Sequence, residues 1–190
     1  MICPLHAWGD ESVRSHGFGA PAYLLAASVV DTDDVAETRA ALAALRPTRG
    51  KLHWHDLADA DRLRVVDAVG GLRARHLVVV ASPTDLRREE RARAVCIERL
   101  GWELARRDVR QLTLEARSRR LMERDLRVVE GLRGRRIIPT SLRVAHGAPD
   151  VEPMLWLPDQ VLGAFGAARA GGRAIDGQLD EAIEEFWTVP

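Results

Sequence analysis

Lysine is nearly absent from this sequence: of 28 basic residues, 27 are arginine and only Lys51 is not. Either residue supplies charge. A lone lysine therefore marks a site that needs a compact ammonium on a flexible stem rather than a planar guanidinium, or else it survives by chance. Cysteine is almost as scarce. Cys3 and Cys96 have no metal-ligand spacing between them, which argues against a zinc ribbon and a disulfide-stapled scaffold. Both are expected to be small buried residues of a cytoplasmic protein. No apolar run approaches the roughly 20 residues of a membrane span. The opening MICPLHAWGDES lacks the basic region, apolar stretch and cleavage site of a signal peptide. No GxGxxG or Walker loop follows a candidate strand, which argues against dinucleotide and P-loop sites. Repeats, low-complexity tracts and linkers are missing too, so residues 1–190 are read as one domain.

What is present suits a globular chain: 46% of residues are hydrophobic and 29% charged, too apolar for disorder. Net charge is zero but unevenly spread. Positions 85–136 hold 16 Arg against 10 acids, whereas 148–190 hold 2 Arg against 8 acids. Two readings of the Arg-rich stretch are open. It is a basic face for a polyanion, or it is a solvated surface laced by i,i+4 ion pairs such as Glu89–Arg93 and Glu103–Arg107.

Periodicity predicts an alternation of strands and helices. The apolar run 2–8 reads as a strand that stops at Gly9-Asp10, and 22–30 as a second, hairpin-compatible strand. Acids at 31–34 open a helix to 45, which Pro47 ends. An extended piece at 50–56 leads to a helix over 58–69, capped by Asp56 and closed by Gly70-Gly71. Residues 76–81 (HLVVVA) form the clearest buried strand. A long Arg-rich helix over 85–107 buries Leu86, Ala94, Ile97, Leu100 and Leu104. A strand over 111–115 follows, then a helix from the cap Ser118 to 132. Residues 136–144 suggest an edge strand around Pro139, 158–170 a helix with Pro158 in its first turn, and 176–187 a last acidic helix. The fold class is α/β, a mixed central sheet flanked by helices.

Three acids fall where a sheet-based site would place them. Asp10, with Glu11, closes the first strand; Glu115 ends the 111–115 strand; Asp159 opens a helix. If the two strands are adjacent and parallel, Asp10 and Glu115 share the rim where ligands bind in open α/β sheets. Clustered carboxylates repel and call for a hard cation, Mg²⁺ or Mn²⁺. A pair of such ions activates water and stabilises a leaving oxygen in phosphodiester hydrolysis. Loop capping, an Arg partner and the helix dipole explain the same acids without a ligand. Glu11 points to the opposite face if the strand continues. His53 and His55 flank Trp54 and would share one side of an extended segment, as metal ligands, proton carriers or a polar edge. His6, His16, His76 and His146 read as structural or exposed. Trp8, Trp54 and Trp156 are core residues or stacking platforms for bases.

The ordered motifs resemble a known family. Trp8-Gly9-Asp10-Glu11-Ser12 resembles the opening DES motif of the DUF3800 family of the ribonuclease H-like superfamily. Lys51-Leu52-His53 resembles its Lys-x-His segment, and Leu114-Glu115-Ala116-Arg117 followed by Asp125 its Glu-x-Arg strand end. Residues 157–163 (LPDQVLG) resemble its terminal helix. The match spans about 8–166, with departures at Val13 and at Leu157-Pro158. The resemblance implies a ribonuclease H-like fold and a metal-dependent nuclease. Asp10, Glu115 and Asp159 would be metal ligands, with Glu11 an additional one. Lys51 and His53 would lie near the scissile phosphate, and Arg117 would hold a phosphate bidentately or lock a ligand carboxylate. Beside the resemblance, His55 is expected with Lys51 and Arg117 among the substrate contacts, as the partner of His53 across Trp54. The expected cofactor is Mg²⁺ or Mn²⁺ and the expected partner nucleic acid, with a protein partner or a second copy also open. The alternatives are a catalytically inactive module that binds nucleic acid or protein, and a small-molecule phosphate hydrolase.

Overall fold

The computed structural model describes residues 4–46, 50–171 and 177–190. Strands β1 (Leu5–Arg14) and β2 (Ala22–Asp31) form an antiparallel hairpin, in register from Leu5 opposite Asp31 to Arg14 opposite Ala22. On the far side of β2, β3 (Ala74–Ala81) is antiparallel. On the far side of β1, β4 (Val109–Glu115) and then β5 (Arg143–Gly147) are parallel. β6 (Ile183–Thr188) pairs in parallel with β3, giving the order β5-β4-β1-β2-β3-β6.

Side-chain alternation sorts the sheet into two faces. Trp8, Leu24, Ala26, Val78 and Val80 meet helices α1 (Val35–Leu45), α2 (Asp59–Gly70) and α5 (Trp156–Arg169). Ala7, Tyr23, Leu25, Leu77 and Val79 meet α3 (Glu89–Arg106) and α4 (Arg119–Gly134). β2 is covered on both faces, which is why it reads as an unbroken apolar run rather than an alternating one. Trp8, Trp54 and Trp156 all belong to the first core. No described helix is long and apolar enough to cross a membrane.

Several expectations are corrected. β1 does not stop at Gly9-Asp10 but runs to Arg14, because its polar second half stays laddered to β2. The extended piece before α2 contains a 3-10 turn over Trp54–Asp56, and the residue preceding α2 is Ala58, not Asp56. Ser118 precedes α4 without a capping side-chain bond. Leu86 lies in a 3-10 turn and is exposed rather than buried. No strand spans 136–144: Arg136 takes a left-handed φ of 60° that ends α4's extension, Pro139 accepts a turn bond from Leu142, and β5 starts only at Arg143. The acidic helix over 176–187 is replaced by a single turn, α6 (Gln178–Glu181), and by β6. Ile183, Phe186, Trp187 and Thr188 are strand formers, and the open edge of β3 offers them a ladder. Cys3, Pro47 and the start of the expected 176–187 helix lie outside the described residues.

Arg-rich α3 and α4 cover the face opposite α5. Five of the nine arginines in these two helices, Arg93, Arg99, Arg119, Arg124 and Arg133, are in ion pairs, and Arg107 just after α3 pairs with Glu103. Glu89–Arg93 is not one of these pairs, because Arg93 turns inward and is 1% exposed.

Candidate functional site

β1 and β4 bring the first two acids together. Gly9 pairs with Leu114 in the parallel ladder, so Asp10 and Glu115, one residue further along each strand, face the α5 side of one rim. Gly9 permits this close approach: a Cβ there would stand 2.9 Å from both the Ala26 carbonyl oxygen and Leu114 Cδ2. Asp159, in the first turn of α5, overhangs the same rim. The three acids line a cleft of about 240 Å³ with Glu11, Arg14, Lys51, His53 and His55.

Each acid is steadied through one oxygen. Asp10 Oδ1 accepts from the backbone N–H of Glu11 at 2.8 Å. Glu115 Oε1 meets Lys51 Nζ at 3.2 Å. Asp159 Oδ2 accepts from the Trp54 N–H and from Gln160 Nε2, both at 2.8 Å. Asp10 Oδ2 and Glu115 Oε2 have no hydrogen-bond partner among the described residues. Asp159 Oδ1 has only His53 Nε2, at a long 3.8 Å. Burial pushes the Asp10 carboxyl well above its ordinary range, and repulsion from Glu115, Glu11 and Asp159 adds to the rise. Burial also raises Asp159, opposed by the Trp54 N–H and by the nearby His53, Lys51 and His55.

A histidine pair completes one wall. The 3-10 turn brings the His53 and His55 rings to 5.5 Å between centroids, and His53 Nδ1 lies 3.4 Å from Asp56. The turn is seated by Trp54, which packs against α5 where Gly163 has no side chain. A Cβ at Gly163 would fall 2.0 Å from the indole Cγ.

Glu11 lies on the other side of β1. Its Oε2 accepts from Arg93 Nη1 at 2.7 Å and its Oε1 pairs with Arg117 Nε at 3.0 Å. Arg93 also grips both oxygens of Asp125 at 2.8 Å and donates to the Tyr23 hydroxyl at 3.0 Å. Arg117 reaches Glu90 through Nη2 as well, so both of Glu11's oxygens are committed within the protein, while Arg117 Nη1 is buried without a partner. His146, read from sequence as structural or exposed, stands 3.0 Å from Asp125. Burial works against the Asp125 carboxylate, but bonds from His146 and Arg93 hold its pKa down at about 2.

Sequence reasoning missed Arg14, Gln160, Arg93 and the role of Asp125. Arg14 had a readable signal: it alternates with Asp10 and Ser12 along β1. Its guanidinium donates to the Leu162 carbonyl at 3.1 Å, and its Nε is buried without a partner.

Hard oxygen donors in a negatively charged cleft suit Mg²⁺ or Mn²⁺ in donor type and charge. In spacing they fall short, since no group of three His, Cys, Asp or Glu side chains among the described residues is arranged to hold a metal ion.

No family model matches the sequence, and no curated protein matches it. Among solved structures, the fold is similar to that of the PCNA:RNase HII complex from Archaeoglobus fulgidus, with a TM-score of 0.56 and 14% identity over 93% of this chain and 85% of that one. It is also similar to Bst-RNase HIII in complex with Mn²⁺, with a TM-score of 0.52 and 17% identity over 96% of this chain and 61% of that one. The fold is ribonuclease H-like: a six-stranded mixed sheet flanked by helices.

Proposed function

We propose that this chain is a divalent-metal-dependent phosphodiesterase acting on nucleic acid, of the DUF3800 kind that its motif order resembles. The observation that carries the reading is the meeting of Asp10, Glu115 and Asp159 at one rim, with Asp10 raised by burial and by its acidic neighbours. Binding of a cation would relieve such a conflict of charge and burial. The RNase HIII neighbour solved with Mn²⁺ supports the choice of ion.

Asp10 and Asp159, with Glu115 beside them, would hold the ion. When bound, it supplies Lewis-acid stabilisation of phosphoryl oxygens and a more acidic water. The rest is done by side chains of this chain. Lys51 and Arg14 offer positive charge to a phosphate in the cleft, where it acts on the charge that grows in the transition state. His53, between Asp56 and Asp159, is placed to hold or deliver a proton at the leaving oxygen. Glu11 and Arg117 are occupied with each other and with Arg93 and Glu90, so they position β1 rather than contact substrate.

The test is cleavage of labelled single-stranded RNA and DNA, their duplexes and an RNA–DNA hybrid, with and without Mn²⁺ or Mg²⁺. Activity should require the ion and fall at least about a hundredfold in Asp159→Asn and Glu115→Gln, the scale of losing one preorganised electrostatic group. Binding of these polymers without any ion-dependent cleavage would replace the enzyme reading with that of a binding module. Hydrolysis of small phosphate esters alone would replace the polymer as substrate.

A further inference from the structure

We propose that Trp187 is a stacking platform for an unpaired base of the nucleic acid whose backbone enters the cleft, so that the substrate carries a single-stranded segment. The inference rests on the nucleic-acid reading above and extends it to the path of the strand beyond the cleft.

The first support is position. Trp187 pairs with Val80 in the ladder of β6 and β3, and Val80 belongs to the core under α5. Alternation therefore puts Trp187 on the face of the sheet that carries Asp10 and Arg14. β1, β3 and β6 run the same way, so the end of β6 lies at the same rim. Three strand steps separate β6 from β1, about 14 Å at the usual spacing. That is roughly four nucleotides at the duplex rise of about 3.4 Å, and fewer in an extended strand. Along α5 the order is Asp159 at the cleft, Gly166 against the Arg14 guanidinium, and Arg169, which pairs with Glu185 of β6. Arg14 thus stands between the acids and the indole, as a contact for the intervening backbone.

The second support is preorganisation. The indole is 47% exposed, unusual for so large an apolar group, but it is not loose. Its Nε1–H donates to Glu185 at 2.5 Å, Glu185 is fixed and neutralised by Arg169, and the ring meets Phe18 at 6.2 Å between centroids. The strand is pinned here too, as the Ser82 N–H donates to the Thr188 carbonyl at 3.2 Å. A fixed, open ring stacks on a base at little ordering cost.

The other tryptophans supply the third support. Trp8, Trp54 and Trp156, the platforms weighed from sequence, are core residues. Trp102 lies on α3 across the sheet, with Arg99 and Arg106 over its ring at 5.5 and 4.5 Å. Of the five, only Trp187 is open on the face of the cleft.

The experiment is fluorescence anisotropy of labelled oligonucleotides with the full chain, in chelator so that binding is read apart from cleavage. The probes are a mixed-sequence single strand, an abasic strand of the same length and a blunt duplex. Trp187→Leu keeps an apolar contact with Phe18 and should bind the single strand at least about fivefold more weakly, the lower range for one stacked base. Trp187→Phe and Trp102→Leu should stay near native. The abasic strand and the duplex offer no open base, so native chain and Trp187→Leu should bind them alike. Thermal unfolding checks that the variants fold. As a second reading, the single strand should quench the tryptophan emission of the native chain, a change lost in Trp187→Phe and not produced by the abasic strand. Native affinity in Trp187→Leu, or an equal loss on the abasic strand, overturns the platform and leaves the ring as a contact for protein or a prop of β6. A native chain that binds no single strand overturns it as well. Ion-dependent cleavage that fails while this binding pattern holds overturns hydrolysis alone.

Discussion

Asp10 is the residue at which burial and charge conflict most sharply. Its carboxyl is raised in the folded state, so between the ordinary value of 3.8 and the folded one the folded chain binds more protons than the unfolded chain. Stability of the metal-free protein therefore falls as pH rises through the folded value. Asp10→Asn is expected to raise the melting temperature at neutral pH by a few degrees, a gain that shrinks below about pH 4. Thermal unfolding in chelator at both pH values measures it, and Mn²⁺ should raise the native melting temperature but not the variant's. Arg93 is the reverse case. It is a nearly inaccessible cation whose removal strands Asp125 and Glu11. Arg93→Met should cost about 3–5 kcal/mol by denaturant unfolding, because a buried carboxylate loses its partner. Arg93→Met with Asp125→Leu should recover much of the loss, since a matched apolar pair has no charge to strand.

At the scale of elements, the site depends on how the turn before α2 is docked on α5. Trp54 supplies an indole to the core and a backbone N–H to Asp159, and both depend on the bare backbone at Gly163. Gly163→Ala should destabilise by about 3 kcal/mol, the upper range of overpacking. It should also weaken Mn²⁺ binding, read by calorimetry, because the Trp54 N–H is pulled from Asp159. The elements that position Asp10, Glu115 and Asp159 were legible from local pattern alone: a short apolar run, an alternating segment over 111–115, and proline with aspartate at a helix start. The end of β1 was not, since its polar half is held by register with β2 rather than by its own hydrophobicity. β6 was misread because its acids mimic a helix face, and only the vacant edge of β3 makes IEEFWT a strand.

Across the whole molecule, the sheet separates two sets of charges. Asp10, Lys51 and Asp159 lie on the α5 side, while Glu11, Arg93, Asp125, Arg117 and His146 form a network on the side of α3 and α4. Sequence order could place the acids of the first set but not the second, whose partners are brought together by packing from positions as far apart as Glu11 and Arg117. Arg-rich composition, too, had two readings, and the ion pairs along α3 and α4 account for much of it. The network has a pH signature. Asp125 is held at about 2, below its ordinary 3.8, so its contribution is present above about pH 4 and lost as pH falls towards 2. That loss should be on the order of 2 kcal/mol, and Asp125→Asn should flatten this limb of a stability–pH curve measured by denaturant unfolding.

The central claim, that the rim of Asp10, Glu115 and Asp159 is a metal-dependent phosphodiesterase site, is tested most directly by comparing native protein and Asp10→Asn. Both would be assayed on the same end-labelled nucleic acids with Mn²⁺ present and then chelated. The account predicts cleavage by the native chain that stops on chelation and is lost in Asp10→Asn although that variant is the more stable protein. Cleavage that survives either chelation or the Asp10→Asn substitution unchanged would contradict it.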